Sequence, residues 1–139
     1  MSVSGGSVAP KTRTYAMQML YRYRIDPLAA EDICPKPEHA AGSEARAYLE
    51  GAFADLLLPE TGVEALWRRH TLGRSQVDDI SWAILQIGTW ELEHCREIPV
   101  AVSINAAVDL AHQFGPENAY KFVNAVLHQV ARCGGRIPG

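Results

Sequence analysis

Residues 98–127 read IPVAVSINAAVDLAHQFGPENAYKFVNAVL, and the periodicity of this stretch decides the fold class. Ile104, Ala107, Val108 and Ala111 recur at alternating three- and four-residue spacing, which places them on one face of a helix. The spacing predicts a helix over residues 102–114, with Gly115 as its C-terminal stop. Beyond Pro116 the rhythm resumes at Ala119, Val123, Val126 and Val130, predicting a last helix over residues 117–132 that Gly134 and Gly135 end. The main alternative is a strand over residues 98–104. It is the weaker reading, because Asn105 onward continues at helical spacing.

Working outward, Val77, Ile80, Ile84, Ile87 and Trp90 form a long regular apolar series ending near Cys95, opened by the N-cap signal Ser75-Gln76-Val77-Asp78. Ile84, Ile87, Val108, Val123 and Val126 are the expected core. Thr61-Gly62-Val63-Glu64 has capping-box spacing and opens a short helix to about His70. Pro59 breaks the helix before it, expected over residues 43–58 with Ser43 as N-cap and Leu49, Phe53, Leu56 and Leu57 inward. Residues 26–42 hold Pro27, Pro35, Pro37 and Gly42 and form a connection. Residues 11–25 are helical, with Ala16, Met19, Leu20 and Tyr23 on the apolar face. Residues 1–10 are a small, Gly/Ser-rich flexible tail. With no period of two anywhere, the expectation is an all-α compact bundle of about six to seven helices, with residues 11–139 as a single domain.

The composition narrows the function. The 139 residues are 47% apolar, enough for a core, and no apolar run approaches the roughly 20 residues of a membrane span. Residues 1–10 lack the charged and apolar regions of a secretory signal. Cys34, Cys95 and Cys133 form no CxxC pair and suit a reducing, cytoplasmic setting. No phosphate-binding glycine loop, HExxH or GxSxG is present. Glu91 and Glu93 diverge on a helix. His39, His70, His94, His112 and His128 show no ligand spacing. No catalytic residue, metal or cofactor is expected, and the chain is not read as an enzyme.

The net charge of −3 hides an asymmetry. Residues 1–25 carry Lys11, Arg13, Arg22 and Arg24 and no carboxylate, on an otherwise acidic body, the kind of imbalance that suits a local polyanion site. On the first helix Arg13, Met17, Tyr21 and Arg24 fall within an arc of about 80°. Arginine pairs with phosphate and tyrosine stacks on bases. Equally, Met17 and Tyr21 can pack on a neighbouring helix with the arginines solvated. On the last helix Asn118, Lys121, Ala125, Gln129 and Arg132 face away from the apolar stripe, and Phe122 flanks them. It can receive an unstacked base or form the margin of the core. Asn105 and Asn124, polar among small apolar neighbours, suit structural cross-links.

These residues resemble the NusB family of transcription antitermination factors. Residues 98–127 are similar to its pattern iP-x-x-V-x-I-N-E-A-V-x-L-A, a glycine turn, then K-F-V-N-G-V-L. Ala83-Ile84-Leu85 with Trp90-Glu91-Leu92, and Ala16 through Tyr21, resemble two further family segments. The resemblance spans about residues 13–131, with one extra stretch near residues 58–61. It implies an all-α fold of two small subdomains and a role in antitermination on ribosomal RNA operons. The implied partners are single-stranded boxA-like leader RNA and a small-subunit ribosomal protein, with other Nus factors and RNA polymerase reached indirectly, for a monomer or homodimer. The resemblance implies RNA contacts at Lys11, Arg13, Tyr21, Gln86, Asn118, Lys121 and Phe122, and the first-helix arc adds Arg24 to the expected RNA-binding set. Val8, Ala9 and Pro10 stand where the family can carry arginine, Gln86 where it has arginine, Ala106 where it has glutamate and Ala125 where it has glycine. The loss of cations weakens the phosphate contribution. The stretch also resembles the N-terminal module of ribosomal RNA cytosine-5 methyltransferases, but the chain stops at Gly139 without a methyl-transfer domain. The alternative is a divergent protein-interaction or regulatory module with weak or lost RNA binding.

Overall fold

The computed structural model describes residues 8–27, 43–57, 62–71, 73–74 and 76–137. Expectations for residues 1–7, the connection over 28–42 with Cys34 and His39, residues 58–61 and Ser75 lie outside them. Six helices are present: α1 (Pro10–Ile25), α2 (Ser43–Leu56), α3 (Gly62–Arg68), α4 (Asp79–His94), α5 (Val100–Phe114) and α6 (Ala119–Cys133). No strand occurs among the described residues.

The helix ends follow local chemistry. Pro10 sits in the first turn of α1, where its missing N–H costs no hydrogen bond. The expected tail therefore ends earlier than foreseen: Val8 is already in the core. α4 starts later than its apolar rhythm suggests, because Asp78 is the N-cap, its carboxylate accepting from the Ser81 amide at 3.0 Å. α5 starts two residues earlier than expected, directly after Pro99. α6 starts two residues later, because Asn118 takes a left-handed conformation (φ 67°) and so cannot continue a helix.

α4 is the axis of the molecule and packs against all five other helices. Every residue from Ser81 to Leu92 is buried, so it has no solvated face in that span. Gly88 permits the closest approach: a Cβ there would lie 2.8 Å from Leu127 Cδ1 of α6. Ile84, Ile87, Val123 and Val126 are buried as expected; Val108 is only half-buried and packs at the edge of the core. Asn105 and Asn124 are exposed, so the expected cross-linking role does not hold for them. Beyond α6, Arg136 turns back and donates to the carbonyls of Leu92 (2.8 Å) and Ile98 (3.0 Å), closing the end of α4 and the α4–α5 corner.

The polar interior centres on Glu91. Its carboxylate accepts from Arg13 Nε and Nη2, both at 2.8 Å, from the Tyr48 hydroxyl at 2.6 Å and from the Ser103 hydroxyl at 3.0 Å. Four helices, α1, α2, α4 and α5, thus meet on one carboxylate. A buried charge needs that many partners to offset its lost hydration.

Candidate nucleic-acid interface

Two sets of contacts orient the helices around α4. Arg13 meets Glu91 near the C-terminal end of α4, while Arg24 meets Asp79 in its first turn, so α1 runs antiparallel to it. α6 runs parallel: Arg74, just ahead of α4, lies over Phe122; Gly88 faces Leu127; Gly134 faces Glu93. The C-terminal end of α1 and the start of α6 therefore share one end of the bundle. Tyr21, Arg24, Asn118 and Lys121 are all exposed there.

The other expected site residues are placed elsewhere. Lys11 is exposed at the far end of α1, about 20 Å from Arg24 by helical rise. Arg13 is buried, and its guanidinium is taken up by Glu91 and by the Val8 carbonyl at 3.2 Å. Burial alone works against its charge, but the Glu91 hydrogen bonds and charge outweigh it and raise its pKa. Held in this way, the guanidinium is occupied inside the core and is not presented at the surface with Tyr21 and Arg24. Gln86 is fully buried and accepts from Trp67 Nε1 at 2.6 Å, so its side chain is taken up against α3. Phe122 is buried too, and its ring underlies the Arg74 guanidinium at 4.3 Å, so a base cannot reach it directly. Met17 is fully buried, which settles the first-helix arc: its N-terminal part packs inward and only Tyr21 and Arg24 reach the surface.

The electrostatics of this end are set by arginine–aromatic pairs. Arg24 lies 4.8 Å over Trp82 and pairs with Asp79 at 3.3 Å. Trp82 Nε1 donates to Glu64, which also receives Arg68 at 2.6 Å, and Arg68 lies 4.7 Å over Trp67. Partial burial pushes the Glu64 carboxyl up, but the Trp82 and Arg68 hydrogen bonds prevail and hold its pKa below the usual range. Arg68 is thus neutralised by Glu64, whereas Arg24 keeps an exposed guanidinium whose longer pairing with Asp79 is open to solvent. Among the described residues no three His, Cys, Asp or Glu side chains converge to hold a metal. No helix there is long and apolar enough to cross a membrane.

Sequence reasoning missed Arg74, Trp82 and Glu91. Glu91 carried a usable signal, since a carboxylate inside an otherwise apolar helix requires a buried cation. Arg74, in the α3–α4 connection, carried none, because its partner lies 48 positions away on α6.

The comparisons agree with this architecture. The model of the NusB family matches residues 10–132. The transcription antitermination protein NusB of Burkholderia mallei is 34% identical over 140 aligned positions, covering 90% of this chain and 88% of its own. That of Alcanivorax borkumensis is 32% identical over 131, covering 91% and 86%. That of Teredinibacter turnerae is 30% identical over 125, covering 87% and 85%. A solved T. maritima NusB structure has the same fold, with a TM-score of 0.68 at 23% identity over 88% of this chain and 89% of that one. A family model matched across nearly all the described helices, and relatives alike along most of their length, establish that this chain belongs to the NusB family.

Proposed function

We propose that this chain acts in transcription antitermination by binding single-stranded boxA-type leader RNA of ribosomal RNA operons, together with a small-subunit ribosomal protein. Other Nus factors and RNA polymerase join the pair, in the cytoplasm. The mechanism is binding only. Arg24 and Lys121 supply phosphate contacts, and Tyr21 and Asn118 supply stacking and amide contacts at the same end of the bundle. The observation that carries this reading is the gathering of those exposed residues at one end of a chain matched by the family model over residues 10–132.

A second reading, a protein-interaction module that keeps the fold and has lost RNA, draws support from the burial of Arg13 and Gln86. Capture of the ribosomal protein on immobilised chain, with and without a boxA-type strand, separates the two. The first reading expects RNA to strengthen capture and Lys121→Ala to reduce that gain. Capture indifferent to RNA selects the second.

A further inference from the structure

Residues 67–74 read WRRHTLGR, a basic stretch in the acidic part of the chain that the proposed site does not use. Its three arginines meet different fates. Arg68 is neutralised by Glu64, and Arg69 borders a separate cavity of about 270 Å³ with His70, Glu93 and Cys133. Arg74 is exposed and lies over Phe122, and among the described residues no carboxylate pairs with it. Gly73 precedes it with φ 83°, a backbone region that favours glycine, at the turn that leads into Arg74.

We propose that Arg74 is a further RNA-contact residue, presenting the outer face of its guanidinium to a base and its N–H edge to the adjoining phosphate of a single strand. The inference rests on the RNA-binding reading above and extends that site across the α3–α4 connection. One face of the guanidinium is occupied by the Phe122 ring; the opposite face is a flat cation of the kind that stacks on bases. Lys121 is exposed in the first turn of α6, its ammonium 5.9 Å over the Tyr120 ring, so a second cation stands on the helix that carries Phe122. The ring holds the guanidinium in place before the ligand arrives, which lowers the ordering cost of binding. Phe122 thereby acts through Arg74 and not by stacking on a base itself. An acidic protein surface would use the charge of Arg74 but not its planarity, and this separates the two kinds of ligand.

The test is fluorescence anisotropy with a labelled boxA-type single strand over a salt series, on the full chain with and without the ribosomal protein. Arg74→Ala is expected to weaken binding about tenfold. It should also flatten the slope of log affinity against log salt by roughly 0.7. Arg74→Lys should restore the slope and leave most of the affinity loss in place. Phe122→Leu, which keeps apolar volume without a ring, should weaken RNA binding while the charge count stays the same. Equal affinity of Arg74→Ala and wild type, with Lys121→Ala still weakened, overturns the assignment and leaves the RNA-binding reading standing. Full recovery by Arg74→Lys overturns the stacking role. Loss of ribosomal-protein capture with unchanged RNA affinity assigns Arg74 to a protein interface and overturns the proposal. If wild type binds no RNA, alone or with the ribosomal protein, the RNA-binding reading falls and this proposal with it.

Discussion

Arg13 shows how one side chain can look like a ligand contact and serve the core. In the local pattern it is a cation on a basic helix, one turn from Met17, and nothing nearby reveals its partner. That partner, Glu91, is 78 positions away. Leaving Glu91 buried without its cation costs about 3–5 kcal/mol. Arg13→Ala should therefore lower unfolding stability in urea by an amount of that order while leaving the salt slope of RNA binding unchanged. A flattened slope with intact stability would return Arg13 to the interface. Cys95 gives a second residue-scale prediction. Burial first, then the charges of Glu91 and Glu97, push its thiol from the ordinary value of 9.0 up to about 12. Below pH 9 the thiol is protonated in both states and contributes no pH dependence. Between pH 9 and about 12 the unfolded thiol ionises and the folded one does not, so stability falls as pH rises through that window. Cys95→Ala should flatten that alkaline decline in chemical denaturation curves. Tyr48, raised by burial and by Glu91, leaves a residual decline of the same sign.

The number and order of the described helices were legible from apolar spacing, and so were the boundaries at Pro99, Gly115 and Gly134. Which face turns inward was less so. For α1 the spacing put Ala16, Met19, Leu20 and Tyr23 inside; the structure buries Thr12, Arg13, Tyr15, Ala16, Met17 and Leu20 and leaves Met19 and Tyr23 half-buried. The difference arises because an ion pair can bury a face that hydropathy scores as polar. α4 presents the opposite case: with all sides covered from Ser81 to Leu92, it has no polar face for periodicity to find. Gly88 belongs to that covered span. In an open helix Gly→Ala would gain about 0.8–1.0 kcal/mol. Here the new methyl meets Leu127, itself fully buried, and overpacking costs about 1–3 kcal/mol. The clash is expected to win, so Gly88→Ala should lower Tm, and adding Leu127→Val should recover part of the loss. A raised Tm for the single variant would show that α6 yields easily at this point.

For the whole molecule, the expected RNA-binding set divides by position: Tyr21, Arg24, Asn118 and Lys121 at one end, Lys11 at the other, and Arg13, Gln86 and Phe122 inside. A motif read along the chain cannot separate these groups, because position around and along α4 is a property of packing. Arg24 and Lys121 alone predict a salt slope of about −1.4 for a single strand, and Arg74 brings it to about −2. A slope of −3 or steeper would bring Lys11 back into the contact. The carboxylate at Glu91 bears on how the molecule opens. Its four donors come from α1, α2 and α5, so no one of these helices can lift away without leaving the charge short of partners or admitting water to it. Fraying of α1 is therefore coupled to hydration of a site deep between helices. In native-state hydrogen exchange, the amides around Arg13 and those around Tyr48 should become labile together, as one cooperative unit drawn from segments far apart in the chain.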